Sequence, residues 1–145
     1  MTFAMTVNER ESFLEAVRIG VLSITEPDRG PLSAPVWYGY EAGGELWFVT
    51  GRESRKGKLL EVGIRISLCV QTEDPPYQYV SVEGPLTHVG TADVEEHTRP
   101  LARRYLGTEG GDRYVADTQS GSQEDSSIVV RMRPERWLTV DYGKR

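Results

Sequence analysis

The feature that most constrains how this chain folds is a succession of short β-type segments separated by turn residues. Each segment is rich in β-branched, aromatic or other apolar residues and is bounded by Gly, Pro or Asp. Strands are predicted over residues 21–25, 32–40, 46–50, 65–72, 79–84 and 128–132, with a further candidate at 137–140. Turns join consecutive strands as hairpins, and the absence of βαβ alternation disfavours a doubly wound parallel sheet. The pattern predicts a mainly β fold, a small barrel of six or so strands with a few helices.

A few segments have the signals of helices. Asn8 followed by Glu11 resembles a capping box and predicts a first helix. A short helix is predicted over residues 54–62, capped by its first serine, and another over residues 93–107. The polar, Gly-rich residues 108–127 are predicted to form a loop around one short helix.

Length and charge limit the function classes. The 145 residues fit one domain over residues 1–145. With 17 basic and 22 acidic residues, a broad basic face is not expected, so no nucleic-acid partner is predicted. No apolar stretch approaches the roughly 20 residues of a membrane span, and a signal-peptide core is absent. We therefore expect a soluble cytoplasmic protein with no membrane partner. The single cysteine, Cys69, is expected to be a buried, reduced thiol because its neighbours are apolar.

One segment concentrates positive charge where an isolated helix would disfavour it. If Ser54 caps a helix, Arg55 and Lys56 occupy the first turn, where cations oppose the helix dipole. A bound phosphate reverses this argument, because backbone N–H groups, the Thr50 hydroxyl and the nearby Arg52 would meet its charge. The alternative is a solvated basic helix start that pairs with neighbouring glutamates.

A second feature is an aromatic hairpin. Trp37, Tyr38, Tyr40, Trp47 and Phe48 lie on two strands that the Gly43-Gly44 turn connects. One face of this hairpin is expected in the core, and a planar ligand could rest on the other. Ordinary core and dimer packing is the alternative.

The usual catalytic signatures are missing from the sequence. His88 and His97 are nine residues apart and no second thiol is present, so no metal site is predicted. Neither a nucleophile elbow nor a Gly-rich phosphate motif occurs. A phosphate-binding segment with aromatic walls but without an acid, a base or a nucleophile indicates that a cofactor performs the chemistry.

The order and spacing of several motifs resemble the pyridoxamine-5′-phosphate-oxidase-like split-barrel superfamily, and within it the flavin/deazaflavin-dependent oxidoreductases of type B. The motifs, in chain order, are Gly20-Val21-Leu22-Ser23, Pro35-Val36-Trp37-Tyr38, Phe48-Val49-Thr50 leading to Ser54-Arg55-Lys56, Arg65-Ile66-Ser67-Leu68 and Val80-Ser81-Val82-Glu83-Gly84. The resemblance implies a six-stranded split β-barrel that forms a homodimer, with two sites for FMN or the deazaflavin coenzyme F420 in the subunit interface.

The resemblance also implies cofactor-binding residues. The positions that match the family's phosphate-binding stretch are Thr50, Ser54, Arg55 and Lys56, with Arg52 beside them, and those that border the ring are Pro35, Val36 and Trp37. Gln71 matches a polar position near the ring or its polyol chain, and Tyr79 and Trp137 are candidates to reach the partner's site. The family's Arg-Leu-x-Pro substrate motif is replaced by Arg136-Trp137-Leu138-Thr139, which argues against vitamin B6 oxidation.

These inferences predict a reductase that transfers a hydride between the cofactor and a small planar substrate. Coenzyme F420 is favoured over FMN because an extended anion makes better use of the run of cations. An FMN-dependent oxidoreductase and a flavin- or haem-type binding protein without turnover remain as alternatives. The substrate walls are expected from residues 73–78 and 108–127.

Overall fold

A computed structural model of the chain describes residues 2–119 and 126–144. Its strands are β1 Gly20–Ile24, β2 Leu32–Val36, β3 Leu46–Gly51, β4 Arg65–Gln71, β5 Gln78–Thr91, β6 Ser127–Met132 and β7 Arg136–Asp141. Its α-helices are α1 Val7–Glu15 and α2 Arg99–Thr118; Gly57–Leu59 is a 3-10 turn and Val94–Thr98 a π-helical turn. The predicted mainly β fold is confirmed, and the candidate strand at the end of the chain makes β7 the seventh strand described.

The strands form one curled antiparallel sheet in the order β2-β1-β4-β5-β6-β3, with β7 paired to β5. The long strand β5 is shared by both halves: residues 78–83 pair with β7, and residues 86–91 pair with β6. Beyond β2, Gly39 forms an isolated bridge with Trp47 of β3, which links the two ends of the curled sheet. This arrangement is a split barrel.

The core fills the inside of this barrel because alternate residues of each strand point inward. Leu22, Phe48 and Leu68 are fully buried there. Helix α1 supplies Phe13 and Leu14 to the same core. The Tyr38 hydroxyl donates to the Leu14 carbonyl at 2.7 Å, so its polar atom is satisfied inside the core.

The outer face of β3, β6 and β5 is covered by the chain itself. Val129 of β6 points outward beside Val49 of β3 and is nevertheless 1% exposed. Three apolar side chains of α2 are also buried outside the barrel core: Leu101, Ala102 and Val115. The Trp47 ring on this face meets His97 edge-on, just before α2, at 6.0 Å between ring centroids. Helix α2 therefore covers this face.

The outer face of the other half carries a row of small and apolar residues. The strand register aligns Pro35, Val21, Cys69, Ser81 and Leu138 across β2, β1, β4, β5 and β7. Val21 is 40% and Leu138 60% exposed, so the described part of the chain does not cover the face. Cys69 is a half-buried free thiol rather than a fully buried one, and its partial burial raises the pKa of the thiol. We call this row the uncovered face.

Two helix predictions need correction. Helix α1 begins two residues earlier than predicted: the Thr6 hydroxyl accepts from the Glu9 N–H at 3.1 Å, and the Glu9 carboxylate accepts from the Thr6 N–H at 2.7 Å. Asn8 with Glu11 has the same spacing, but Glu11 instead accepts a hydrogen bond from the Tyr40 hydroxyl. Residues 108–118 are helical, so the short helix expected within residues 108–127 is present but is longer than expected and replaces the loop as far as Thr118, where α2 ends. Residues 120–125 lie outside the described residues.

None of the described helices is long and apolar enough to cross a membrane.

Candidate active site

A pocket of about 480 Å³ lies between the barrel and α2. The barrel side is lined by Ile19, Pro35, Val36, Trp37, Val49, Thr50 and Lys56, and the helical side by Thr98, Leu101 and Tyr114. A volume of this size, with mostly apolar walls and a few polar groups, is typical of a small-molecule site.

The apolar wall of the pocket is organised around Trp37, directly after β2. The Tyr105 ring stacks on the Trp37 ring with the centroids 5.2 Å apart and the planes 7° from parallel. The Tyr105 hydroxyl accepts from the Tyr38 N–H at 3.1 Å and donates to the Arg18 carbonyl at 2.6 Å. These hydrogen bonds fix the position of the Tyr105 ring. Because this ring stacks on Trp37, the indole faces the pocket in a fixed orientation.

The polar end of the pocket contains Thr50 and Lys56. Thr50 is near the end of β3 and is 6% exposed. Lys56 is half-buried, and within the described residues its ammonium makes no ion pair. A partly desolvated cation without a carboxylate partner, beside a hydroxyl, is suited to an anionic ligand group.

The loop that carries Lys56 is not the helix predicted over residues 54–62. Only Gly57–Leu59 is helical, as one 3-10 turn, and Leu60 is already extended. Gly57 inside the segment and Gly63 after it weaken a helix here. The helix-dipole argument for phosphate binding therefore does not apply to this segment.

The other predicted phosphate-binding residues hold this loop in place. The Ser54 hydroxyl donates to the Gly51 carbonyl at 2.8 Å and accepts from the Gly57 N–H at 3.0 Å. Arg52 donates from Nη2 to the Thr91 hydroxyl at 2.9 Å. Neither residue lines the pocket.

Arg55 points to an ion pair rather than to the pocket wall. Its Nη2 lies 2.5 Å from Glu26 Oε1. This hydrogen-bonded pair raises the pKa of the Arg55 guanidinium and lowers the pKa of the Glu26 carboxyl. The sequence left open that the cations of this segment pair with neighbouring glutamates. Lys58 forms such a pair, with its Nζ 3.9 Å from Glu53 Oε2.

Gln71, the remaining predicted cofactor residue, lies in a neighbouring depression. This depression has a volume of about 650 Å³ and contains Val21 and Cys69 of the uncovered face. Ile19 lines both the depression and the pocket, so the two are adjacent. The structure thus brings Pro35, Val36, Trp37, Thr50 and Lys56 together and leaves Arg52, Ser54, Arg55 and Gln71 around them.

The residues that sequence reasoning missed come mainly from the helical side. Thr98, Leu101 and Tyr114 lie far along the chain from the barrel residues they face. Tyr114 lies within residues 108–127, from which a substrate wall and one short helix were expected. Neither expectation said which residue of this segment faces the pocket or where the helix packs. Trp137, a candidate for the partner's site, packs against the core of its own chain, with the Arg10 guanidinium 4.2 Å above its ring.

Within residues 2–119 and 126–144, no three His, Cys, Asp or Glu side chains are grouped so that they could hold a metal ion.

Comparison with known proteins shows what the chain is similar to. The family model for pyridoxamine 5′-phosphate oxidase matches residues 7–141. A conserved hypothetical protein from Mycobacterium tuberculosis has a similar structure, with a TM-score of 0.74, 23% identity, and coverage of 97% of this chain and 87% of that one. An F420 reductase has a TM-score of 0.61 at 21% identity over 88% of this chain and 94% of that one.

A third similar structure is an FAD and heme binding protein from Mycobacterium smegmatis. It has a TM-score of 0.67 at 12% identity and covers 94% of this chain and 71% of that chain. At these identities the three likenesses show the fold. The search of curated proteins gave no match.

Proposed function

Because the chain belongs to the pyridoxamine 5′-phosphate oxidase family, we propose that it is an oxidoreductase with a flavin-type cofactor in the pocket between the barrel and α2. The observation that carries this proposal is the pocket itself: an apolar wall around Trp37 with the unpaired Lys56 ammonium and the Thr50 hydroxyl at its polar end. A planar ring system with an anionic side chain has the matching chemistry.

The residues present fit such a cofactor. The ring would lie along Pro35, Val36 and Trp37, where apolar burial favours a flat aromatic group. Its phosphate would be held by Lys56 and Thr50 through charge-assisted hydrogen bonding. The bound group supplies hydride acceptance and donation, which side chains of this pocket lack.

The protein's part in the reaction is positioning. No carboxylate or imidazole is among the described residues that line the pocket. Lys56, Thr50 and Tyr114 can bind and orient polar groups, and the apolar wall excludes water from the reacting faces. We propose that the substrate is small and planar, because it must lie against a ring in a site of this size.

For the cofactor itself we propose coenzyme F420 rather than FMN. The support is the cationic loop: besides Lys56 it carries Arg52 and the exposed Lys58, which is only loosely paired with Glu53 at 3.9 Å, so positive charge continues beyond the pocket. An extended anionic tail can use this charge, whereas a single phosphate needs about two cations. Arg55 contributes less because Glu26 already neutralises it. The likeness to an F420 reductase agrees with this choice.

We further propose that the protein works as a homodimer, with the partner subunit against the uncovered face. Pro35 belongs to both this face and the pocket wall, and the neighbouring depression reaches Val21 and Cys69. A second copy that covers the face would therefore complete the edge of the pocket. We expect an interface larger than the roughly 1,600 Å² of a standard complex.

Parallel titration of the purified apo-protein with coenzyme F420 and FMN, at low and moderate salt, tests the proposal. We expect tighter binding of F420, weakened by salt because its tail contacts are exposed. Lys56→Ala should weaken binding of either compound. Lys58→Ala on the same loop should leave FMN binding unchanged and weaken only F420 binding, because Lys58 lies outside the pocket. Binding of neither compound would overturn the proposed function, and tight FMN binding without F420 binding would reverse the choice of cofactor.

A flavin- or haem-type binding protein without turnover is the second candidate, favoured by the lack of carboxylate and imidazole groups among the described lining residues. The discriminating measurement is the oxidation rate of bound reduced cofactor with and without a small quinone. An enzyme accelerates this oxidation when the quinone is present, whereas a carrier leaves the rate at that of the free cofactor.

A further inference from the structure

Helix α2 consists of two halves that meet at a sharp break. Gly107 has φ of 80° and ψ of 170°, which is not helical and lies in a region that side chains other than glycine rarely adopt. Residues 99–106 precede the break and residues 108–118 follow it. The second half is therefore a separate short helix whose direction is set at Gly107.

The two halves are held together across the break by a close contact and by one carboxylate. A side chain at Gly111 would place its Cβ 2.6 Å from the backbone nitrogen of Arg103, so the backbones approach as closely as glycine allows. Asp112 of the second half accepts from Arg99 Nη1 at 2.8 Å and from Arg103 Nε at 2.9 Å. Its second oxygen accepts from Arg103 Nη2 at 3.0 Å. Both arginines belong to the first half.

This second half brings Tyr114 to the pocket. The Tyr114 ring meets Trp37 with the centroids 5.2 Å apart and the planes tilted by 53°. Tyr114 is 38% exposed and lines the pocket. Its neighbour Val115 is 4% exposed, so burial of this side chain anchors the half-helix.

Trp37 thus has two aromatic neighbours, Tyr105 and Tyr114, which differ in how their hydroxyl groups are hydrogen-bonded. Tyr105 comes from the first half and its hydroxyl makes two backbone hydrogen bonds, so its position is fixed. Tyr114 comes from the second half, and its hydroxyl makes no hydrogen bond within the described residues. The free hydroxyl and the partly exposed ring are both accessible from the pocket.

We propose that Tyr114 is a ligand-contacting, specificity-determining residue that covers a planar ligand beside Trp37, and that Asp112 is the positioning residue that holds it there. The inference rests on the proposed function, because the ligand it names is the flavin-type cofactor or the planar substrate of that pocket. The ring supplies an apolar edge for the ligand, and the hydroxyl supplies a donor for a polar atom at the ligand's rim.

The test compares variants of Tyr114 with a matched aromatic control. Tyr114→Ala should weaken binding of F420 or FMN by roughly three- to tenfold, the range of one aromatic contact. Tyr114→Phe keeps the ring, so it should lose only the part of the binding affinity that the hydroxyl contributes. Tyr142→Ala, a similarly exposed tyrosine that does not line the pocket, should bind as the unchanged protein does.

The positioning role of Asp112 has its own control on the same half-helix. Asp112→Asn removes the ion pairs across the break, and Glu109→Gln removes a pair with Arg113 inside the second half. We expect Asp112→Asn to speed amide hydrogen exchange in residues 108–118 of the ligand-free protein, and to weaken ligand binding about threefold. Glu109→Gln should leave both quantities unchanged.

The outcomes separate the inference from the function on which it rests. If the unchanged protein binds a flavin compound and Lys56→Ala weakens binding, but Tyr114→Ala and Asp112→Asn bind normally, the inference is wrong and the proposed function stands. If the unchanged protein binds neither compound, both are overturned. Should Asp112→Asn fail to fold, the Tyr114 variants still decide the question.

Discussion

The two outer faces of the barrel differ in what covers them. On the face of β3, β6 and β5, the outward-pointing Val129 is 1% exposed because α2 lies over it. On the uncovered face, the outward-pointing Val21 and Leu138 are 40% and 60% exposed. Both faces carry outward apolar residues, yet the described chain buries only one of them. This difference is the basis of our proposal that a second copy of the chain covers the uncovered face.

The two faces also have different side chains at their centres. The covered face aligns two branched residues, Val49 and Val129. The uncovered face has Cys69 and Ser81 between its apolar ends, and small residues allow another backbone to approach closely. The pocket lies where the two faces meet, with Pro35 on the uncovered side and α2 on the covered side.

The largest effect is expected on the covered face. Val129→Asp would bury a carboxylate without a partner, and we expect the free energy of unfolding to fall by at least about 3 kcal/mol. Urea unfolding followed by circular dichroism measures this. Val62→Asp, at a valine that is 61% exposed, is the control and should change stability little. Equal losses in both variants would mean that α2 does not seal this face.

The next largest effect is expected from a valine-to-aspartate substitution on the uncovered face. Val21→Asp should leave each subunit folded but should weaken association by about 3 kcal/mol, because two copies of the charge would be buried in a symmetric interface. Light scattering at several concentrations reports the change in mass. A dimer that is as stable with Val21→Asp as without it would show that the partner lies elsewhere.

Between the two faces, the adjacent cations Arg55 and Lys56 have different surroundings: Lys56 lines the pocket, and Arg55 pairs with Glu26. Lys56→Ala should weaken cofactor binding by about 1–3 kcal/mol, because a charge-assisted hydrogen bond is lost. Arg55→Ala should have a smaller effect, since Arg55 is already paired with Glu26. Titration of both variants with the same cofactor gives the comparison. Equal weakening by the two variants would mean that Arg55 leaves Glu26 to bind the ligand.

The smallest effect concerns the ion pairs that join the two halves of α2. Arg103 and Arg99 lower the pKa of Asp112 below its usual value. A lowered folded-state pKa stabilises the protein above the unfolded-state value, and this contribution disappears as the pH falls through the folded-state pKa. Unfolding free energies at pH 7 and at stepwise lower pH should show the gap between the unchanged protein and Asp112→Asn closing below about pH 4. A gap that is constant down to pH 2 would contradict this.

Much of the barrel could be predicted from the sequence because strand formation depends on local alternation. The prediction for residues 46–50 agrees with β3, Leu46–Gly51, and that for residues 65–72 agrees with β4, Arg65–Gln71. The helix predicted over residues 54–62 does not form, because Gly57 disfavours it and the Ser54 hydroxyl closes a turn with Gly51 and Gly57 instead. The second half of α2 was expected only as one short helix within a loop, because the glycines of this segment are typical of loops.

The sequence by itself determined the elements that alternation and turn chemistry specify, namely the antiparallel strands and their inward core. The family resemblance pointed to Pro35, Val36 and Trp37, which line the pocket. Only the tertiary structure decided that Tyr114 meets Trp37 and that Lys56 faces the pocket while Arg55 turns to Glu26. The physical reason is that these contacts join residues distant in the chain. They depend on how α2 and the loop after β3 pack against the barrel, and no local pattern carries that information.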